Sequence, residues 1–225
     1  KGARVGLMRT VRVKICGITN EWNLEMVCDA GADVVGFIVC IHSSPRNLSP
    51  RIAKDLIERV PIFVKSCLVV VPKSVGEIIE LYEELRPDII QIHGDCPLDV
   101  SILKEKAPYA LLIRAMGVGP GEKWMTAEGV KPFDAVLVDS YSPGRFGGTG
   151  MIHDWRISRS IRERIAKPLI LACGLSTGNV EEAIRIVKPY AVDVSTGVES
   201  EPGRKDPEKV EAFVRRAKGV DLADC

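Results

Sequence analysis

The chain has 225 residues, enough for one large core and close to the size of a single barrel domain. Its 46% apolar and 27% charged residues are ordinary for a globular protein and exclude disordered, collagen-like and low-complexity classes. With 31 Lys and Arg against 30 Asp and Glu the net charge is +1, so no global field draws it to nucleic acid or an anionic membrane, and an anionic ligand must be held by local groups.

No apolar run approaches the roughly 18–20 residues that span a bilayer. The basic stretch at residues 1–10 is followed by no signal-like apolar segment and reads as a short extension, with 11–225 as one domain and the cytoplasm as the expected location. The seven cysteines, Cys16, Cys28, Cys40, Cys67, Cys96, Cys173 and Cys225, are an odd set with no CxxC pair. That argues against a disulfide framework and against a zinc site.

In chain order, the first β-branched apolar run is Val11–Ile15, followed by a helix capped by Asn20 and running to Ala30, with Gly31 as its stop. Val34–Val39 is the second strand, and Ser49-Pro50 opens the next helix with proline in its first turn. Phe63–Val71 is the third, followed by a helix from Ser74 to Leu85 that carries Ile78, Ile79, Tyr82 and Leu85. Ile89–Ile92, Ala110–Arg114, Ala135–Val138, Leu169–Ala172 and Ala191–Val194 complete the strands. Helices are expected from Asn179 to Val187 and from Pro207 to Lys218. Near-continuous apolar strands of this kind are parallel strands covered on both faces. Eight alternations in about 215 residues favour a closed (βα)8 barrel over a doubly wound open sheet, and the first turn lacks GxGxxG.

Ligands of a barrel bind at the C-terminal ends of its strands, so the residues that follow each strand carry the functional signal. Cys16-Gly17 follows strand 1, and Cys40 to Arg46 follow strand 2. Strand 4 ends in Gln91-Ile92-His93-Gly94, and strand 6 in Asp139 followed by Gly147-Gly148-Thr149-Gly150. Strand 7 ends in Ala172-Cys173-Gly174, and strand 8 in Asp193-Val194-Ser195-Thr196-Gly197. Glycine-rich turns after strands 7 and 8 are the usual phosphate position, because bare backbone N–H groups approach an anion closely there. Gly178-Asn179 is a candidate start for a helix that adds its dipole.

The segments VKICGIT, SPRNLSP, IQIHGD, VLVDS with GGTG, ILACGL, and VDVSTGVE with PGRKDPEKV run in order from about Val11 to Lys218. In these the chain resembles phosphoribosylanthranilate isomerase, a TIM-barrel family of tryptophan biosynthesis. The resemblance implies an Amadori rearrangement of a small phosphorylated substrate, with no metal and no cofactor. It implies Cys16 as general base and Asp139 as general acid. It gives Arg46 to the substrate carboxylate, where a planar fork suits a planar anion. Gln91 and His93 line the pocket, while Gly148, Gly174, Asp193, Ser195, Thr196 and Gly197 fall in phosphate-binding turns. The expected partners are this substrate and, at most, a second copy of the chain (monomer or homodimer); neither nucleic acid nor membrane is expected.

Lys14 lies two residues before Cys16 and so shares its face of the strand, which is expected to help hold a thiolate. Asp139 must keep a proton near neutrality, which burial favours. Each residue also has an ordinary reading: Cys16 as a buried small hydrophobe, Asp139 as a cap, Arg46 as a surface charge, His93 as a satisfied structural histidine, Asp193 as an acceptor within a turn. The charged stretches Arg51–Arg59 and Arg204–Arg216 read as solvated surface. Two other functions fit the same barrel. One is the histidine-pathway isomerase, which uses a pair of aspartates and shows a half-barrel repeat. The other is a non-catalytic phosphate-binding barrel. Cys16 in place of aspartate argues against the first, and a matched acid and base against the second.

Overall fold

The computed structural model describes residues 10–118, 127–140 and 154–222. Eight parallel strands, β1 (Arg12–Cys16), β2 (Val34–Val39), β3 (Lys65–Val70), β4 (Ile89–Ile92), β5 (Leu111–Val118), β6 (Ala135–Ser140), β7 (Leu169–Leu171) and β8 (Ala191–Val194), lie side by side. β1 pairs with both β2 and β8, which closes the sheet into a barrel. The helices α1 (Glu21–Asp29), α2 (Pro50–Ile57), α3 (Val75–Leu85), α4 (Val100–Lys106), α5 (Ala127–Val130), α6 (Trp155–Arg164), α7 (Val180–Val187) and α8 (Pro207–Lys218) alternate with the strands. Among the described residues no helix is long and apolar enough to cross a membrane.

Local chemistry sets the helix starts. Asn20, Ser49, Ser74, Asp99, Asp154 and Asp206 each accept a first-turn N–H through the side chain, worth about 1 kcal/mol apiece. Asn179 precedes α7 but makes no such bond; its side chain is used elsewhere, as described below.

Alternation along the strands divides the core into two layers. Leu68, Ile90, Leu112 and Val138 join the helix residues Leu24, Ile78, Leu103, Ile184 and Phe213 in one cluster. Cys67, Val69, Ile89, Ile113, Leu137 and Ile170 fill the barrel interior with Cys16. The strands depart from expectation at their ends. Phe63, expected to open the third strand, precedes it and is 94% exposed beside Ile62. β5 extends four residues past Arg114, to Val118. Two short additions escaped the sequence reading: Asn47–Leu48, which pairs with the end of β2, and a hairpin of Glu199–Glu201 with Arg204–Lys205.

On the N-terminal face, three aspartates repeat one role. Asp33, Asp88 and Asp134 stand immediately before β2, β4 and β6. Each carboxylate accepts the backbone N–H of the preceding strand, from Val13 at 2.8 Å, Ser66 at 2.9 Å and Leu112 at 2.9 Å.

Candidate active site

Lys14 and Cys16 both face the barrel interior from β1. Across the ladder on β2, Lys14 pairs with Val34 and Cys16 with Gly36. A Cβ at Gly36 would stand 2.9 Å from the Cys16 sulfur and 3.1 Å from Lys14 Nζ. Glycine therefore leaves the space in which thiol and ammonium meet. Lys14 Nζ also donates to Asp193 Oδ1 at 3.0 Å, with both side chains buried. Burial opposes the charge on Lys14, but Asp193, then Cys16 and Cys67, outweigh it and raise its pKa. The Cys16 thiol is pushed above its ordinary 9.0, chiefly by burial; Lys14 pulls it down and Asp193 pushes it back up. Lys14 thus favours the thiolate as expected, but it is shared with Asp193 and does not overcome burial. Replacing Lys14 with methionine is expected to raise the Cys16 pKa further and to cost about 3–5 kcal/mol, because Asp193 loses its buried partner. A difference titration against Cys16→Ala protein checks this; an unchanged Cys16 pKa contradicts it.

Asp139 ends the interior row of β6 and is partly buried. Burial raises its pKa to about 7, helped by Asp193 and opposed by the Ser140 N–H, which donates to Oδ1 at 2.7 Å, and by Lys14. It therefore carries a proton near neutrality, as a general acid requires.

Arg46 is 7% exposed, which corrects its reading as a surface charge. Its Nε and Nη2 donate to the two carboxylate oxygens of Glu199 at 2.7 and 2.5 Å, and Nη2 also reaches Thr196 Oγ1 at 3.2 Å. The forked edge expected to meet a substrate carboxylate is therefore already occupied. Nη1 has no hydrogen bond among the described residues and is not among their sealed, unpartnered atoms. Lys205, read as solvated surface, is wholly buried: its Nζ donates to Glu199 Oε1 at 2.8 Å and to the Ser195 carbonyl at 3.2 Å. Burial works against the charge of Glu199, yet Arg46 and Lys205 hold its pKa below the usual value. Gly17, at φ +78°, leaves room for the Arg46 stem, since a Cβ there would run into Arg46 Cδ.

Gln91 Nε2 lies 2.8 Å from His93 Nε2. An amide NH2 can only donate, so the imidazole accepts there and carries its proton on Nδ1. Burial, with Lys14 and Arg114, lowers the His93 pKa to about 3, so the ring is neutral at working pH.

The turns after β7 and β8 lie against each other: a Cβ at Gly197 would strike the Leu175 carbonyl, and Gly174 takes φ +56°. Asn179 spends its side chain here, accepting from the Ser176 N–H at 2.8 Å and donating to the Gly174 carbonyl at 3.1 Å. Asp193, expected in a phosphate-binding turn, lies on β8 and points into the barrel toward Lys14. Cys173 is buried with its sulfur 3.2 Å from the Val138 carbonyl. Gly148 and its loop lie outside the described residues.

A closed parallel barrel with these groups at the C-terminal ends of its strands has the architecture of a (βα)8-barrel enzyme. Residues 13–216 match the family model for N-(5'phosphoribosyl)anthranilate (PRA) isomerase. The N-(5'-phosphoribosyl)anthranilate isomerase of Methanothrix thermoacetophila is 45% identical over 208 residues, covering 92% of this chain and 98% of that protein. A solved phosphoribosyl anthranilate isomerase in complex with reduced 1-(o-carboxyphenylamino)-1-deoxyribulose 5-phosphate is 32% identical, with a TM-score of 0.74 over 93% of this chain and 100% of the other. The structure of monomers generated from the dimeric enzyme of Thermotoga maritima is also 32% identical, with a TM-score of 0.75 and the same coverage. The chain belongs to the N-(5'-phosphoribosyl)anthranilate isomerase family.

Proposed function

We propose that the chain converts N-(5'-phosphoribosyl)anthranilate to 1-(2-carboxyphenylamino)-1-deoxyribulose 5-phosphate in L-tryptophan biosynthesis, in the cytoplasm, with residues 11–225 as its single catalytic domain. The observation that carries this reading is a thiol held beside a buried ammonium in the same barrel as a carboxyl that stays protonated to about pH 7. Asp139 gives its proton to the ribose ring oxygen. The C1′–O bond breaks and the nitrogen lone pair forms the Schiff base. The Cys16 thiolate then takes the proton from C2′, and the resulting enolamine tautomerises to the ketone. Arg46 offers Nη1 to the ring carboxylate while Glu199 holds its other edge. Gln91 fixes His93 as a neutral donor lining the pocket. Backbone N–H groups at Gly174, Ser195, Thr196 and Gly197 seat the phosphate, Gly148 is assigned to the same substrate site, and Asp193 acts from β8 by holding Lys14.

The test mixes purified protein with freshly generated phosphoribosylanthranilate and follows the loss of anthranilate-type fluorescence. Turnover that disappears in Cys16→Ala and in Asp139→Asn supports the reading. No turnover, or turnover undiminished in both variants, ends it.

The oligomeric state is proposed from the opposite face. Ile62 and Phe63 before β3, Tyr109 before β5 and Tyr190 before β8 put exposed apolar groups at the N-terminal ends of the strands. Exposed apolar groups on one face suit a second copy of the chain, in keeping with the dimeric Thermotoga maritima relative. Phe63→Glu is expected to halve the mass measured by light scattering at micromolar concentration and to leave kcat/KM unchanged. A wild-type protein that is already monomeric, or a variant of unaltered mass, contradicts it.

A further inference from the structure

Glu199 and Lys205 face each other across the short hairpin that follows β8. Neither belongs to the acid–base pair. Both are almost completely sealed from water, which is costly for a charged residue unless it is closely paired. Glu199 accepts from Arg46 through both oxygens and from Lys205 through one of them. Lys205 in turn donates to the Ser195 carbonyl and lies 3.4 Å from the Ser195 hydroxyl. Arg46 Nη2 reaches Thr196 on the same turn. One carboxylate therefore ties the strand 2 loop, which supplies Arg46, to the strand 8 turn, which supplies Ser195 and Thr196. With Nε and Nη2 held, the guanidinium plane is fixed and its remaining amino group has a single direction. Two cations on one carboxylate also leave a positive charge in surplus where an anionic substrate is to bind.

We infer that Glu199 and Lys205 are positioning residues: Glu199 aims Arg46 at the aromatic carboxylate of the substrate, and Lys205 locks that aim to the phosphate turn. The distance between the two anionic ends of the substrate is thereby gauged by one buried network. This rests on the reading of Arg46 given above.

The discriminating experiment compares phosphoribosylanthranilate with its aniline analogue, which lacks only the ring carboxylate. Wild-type enzyme is expected to prefer the carboxylated compound by about 100-fold in kcat/KM, within the range of one charge-assisted contact. Glu199→Gln keeps the shape and removes the charge. It is expected to shrink that preference at least tenfold, through KM with little change in kcat. In an Arg46→Ala background the same substitution is expected to change the preference less than threefold, because Glu199 acts through Arg46. Lys205→Met, which fills the same space, is expected to act in the same direction and carries the test if Glu199→Gln does not fold. An intact preference in either folded variant, or an undiminished Glu199→Gln effect without Arg46, overturns the inference. Collapse of both variants overturns it too, since the network then holds the fold rather than aiming Arg46. Failure of the wild-type protein to turn over phosphoribosylanthranilate is a different result, and it removes the proposed function itself.

Discussion

Asp139→Asn is expected to slow turnover by about 10³-fold or more and, at the same time, to raise the melting temperature above neutral pH. The rate loss follows from removing a proton donor at the ring oxygen, since a positioned acid contributes roughly 10²–10⁴-fold. The stability gain follows from the pKa of about 7 that burial gives this carboxyl, against an ordinary 3.8. A carboxyl whose folded pKa is raised contributes stability that is complete below about pH 4 and is lost as pH rises through about 7. Asparagine carries no charge and avoids that loss. With allowance for the partial exposure of Asp139, the gain at pH 8 is on the order of 2 kcal/mol, or about 4–8 °C for a chain of this size. Thermal melts at pH 4 and pH 8 check this: the variant and the wild-type protein should coincide at the lower pH and separate at the higher. Equal melting temperatures at pH 8 contradict a buried, reluctantly ionised Asp139.

Cys16→Ala is expected to cost about 10³-fold or more in kcat and to leave the fold intact, because alanine removes one sulfur from an already small side chain. The pH profile of the wild-type enzyme adds a sharper expectation. In the proposed mechanism only molecules with Asp139 protonated and Cys16 ionised react. Below about pH 7 that fraction climbs with pH as thiolate forms. Between about pH 7 and the thiol pKa, which burial places above 9.0, each gain in thiolate is cancelled by loss of protonated Asp139. Above the thiol pKa the fraction falls. The profile of kcat/KM is therefore expected to be flat from about pH 7 up to the thiol pKa, with only a small minority of molecules in the reactive state. A narrow optimum below pH 7 contradicts this order of the two pKa values.

The barrel was legible because parallel strands buried on both faces must be apolar along their whole length, and turns of glycine, proline and helix caps separate them. The strand ends were harder to read. Phe63 has strand chemistry but lies outside the sheet, where it meets solvent. The Ala115–Val118 extension of β5 includes glycine and only one β-branched residue. The places of Cys16 and Asp139 near the ends of β1 and β6, and of Gly174 and Gly197 after β7 and β8, were readable from the apolar runs that precede them. Glu199 and Lys205 were not, because a charge beside a helix start looks solvated until its partner is known, and Arg46 lies 153 residues from Glu199 in the chain. Their cross-strand spacing on either side of Pro202-Gly203 was the signal available.

The three aspartates of the N-terminal face bear on how the barrel is assembled. Each joins an odd-numbered strand to the even-numbered strand that follows it, so β1–β2, β3–β4 and β5–β6 are stapled units, whereas among the described residues the joints between these units carry no staple of this kind. Cleavage between Ala107 and Ala110 leaves every staple within one fragment, whereas cleavage at Arg86-Pro87 parts Ser66 from Asp88. The first pair of fragments is therefore expected to recombine more readily on mixing than the second, which recovered circular dichroism of the mixed fragments would check. The face remote from the chemistry thus marks three two-strand units, each closed by the aspartate that precedes its second strand.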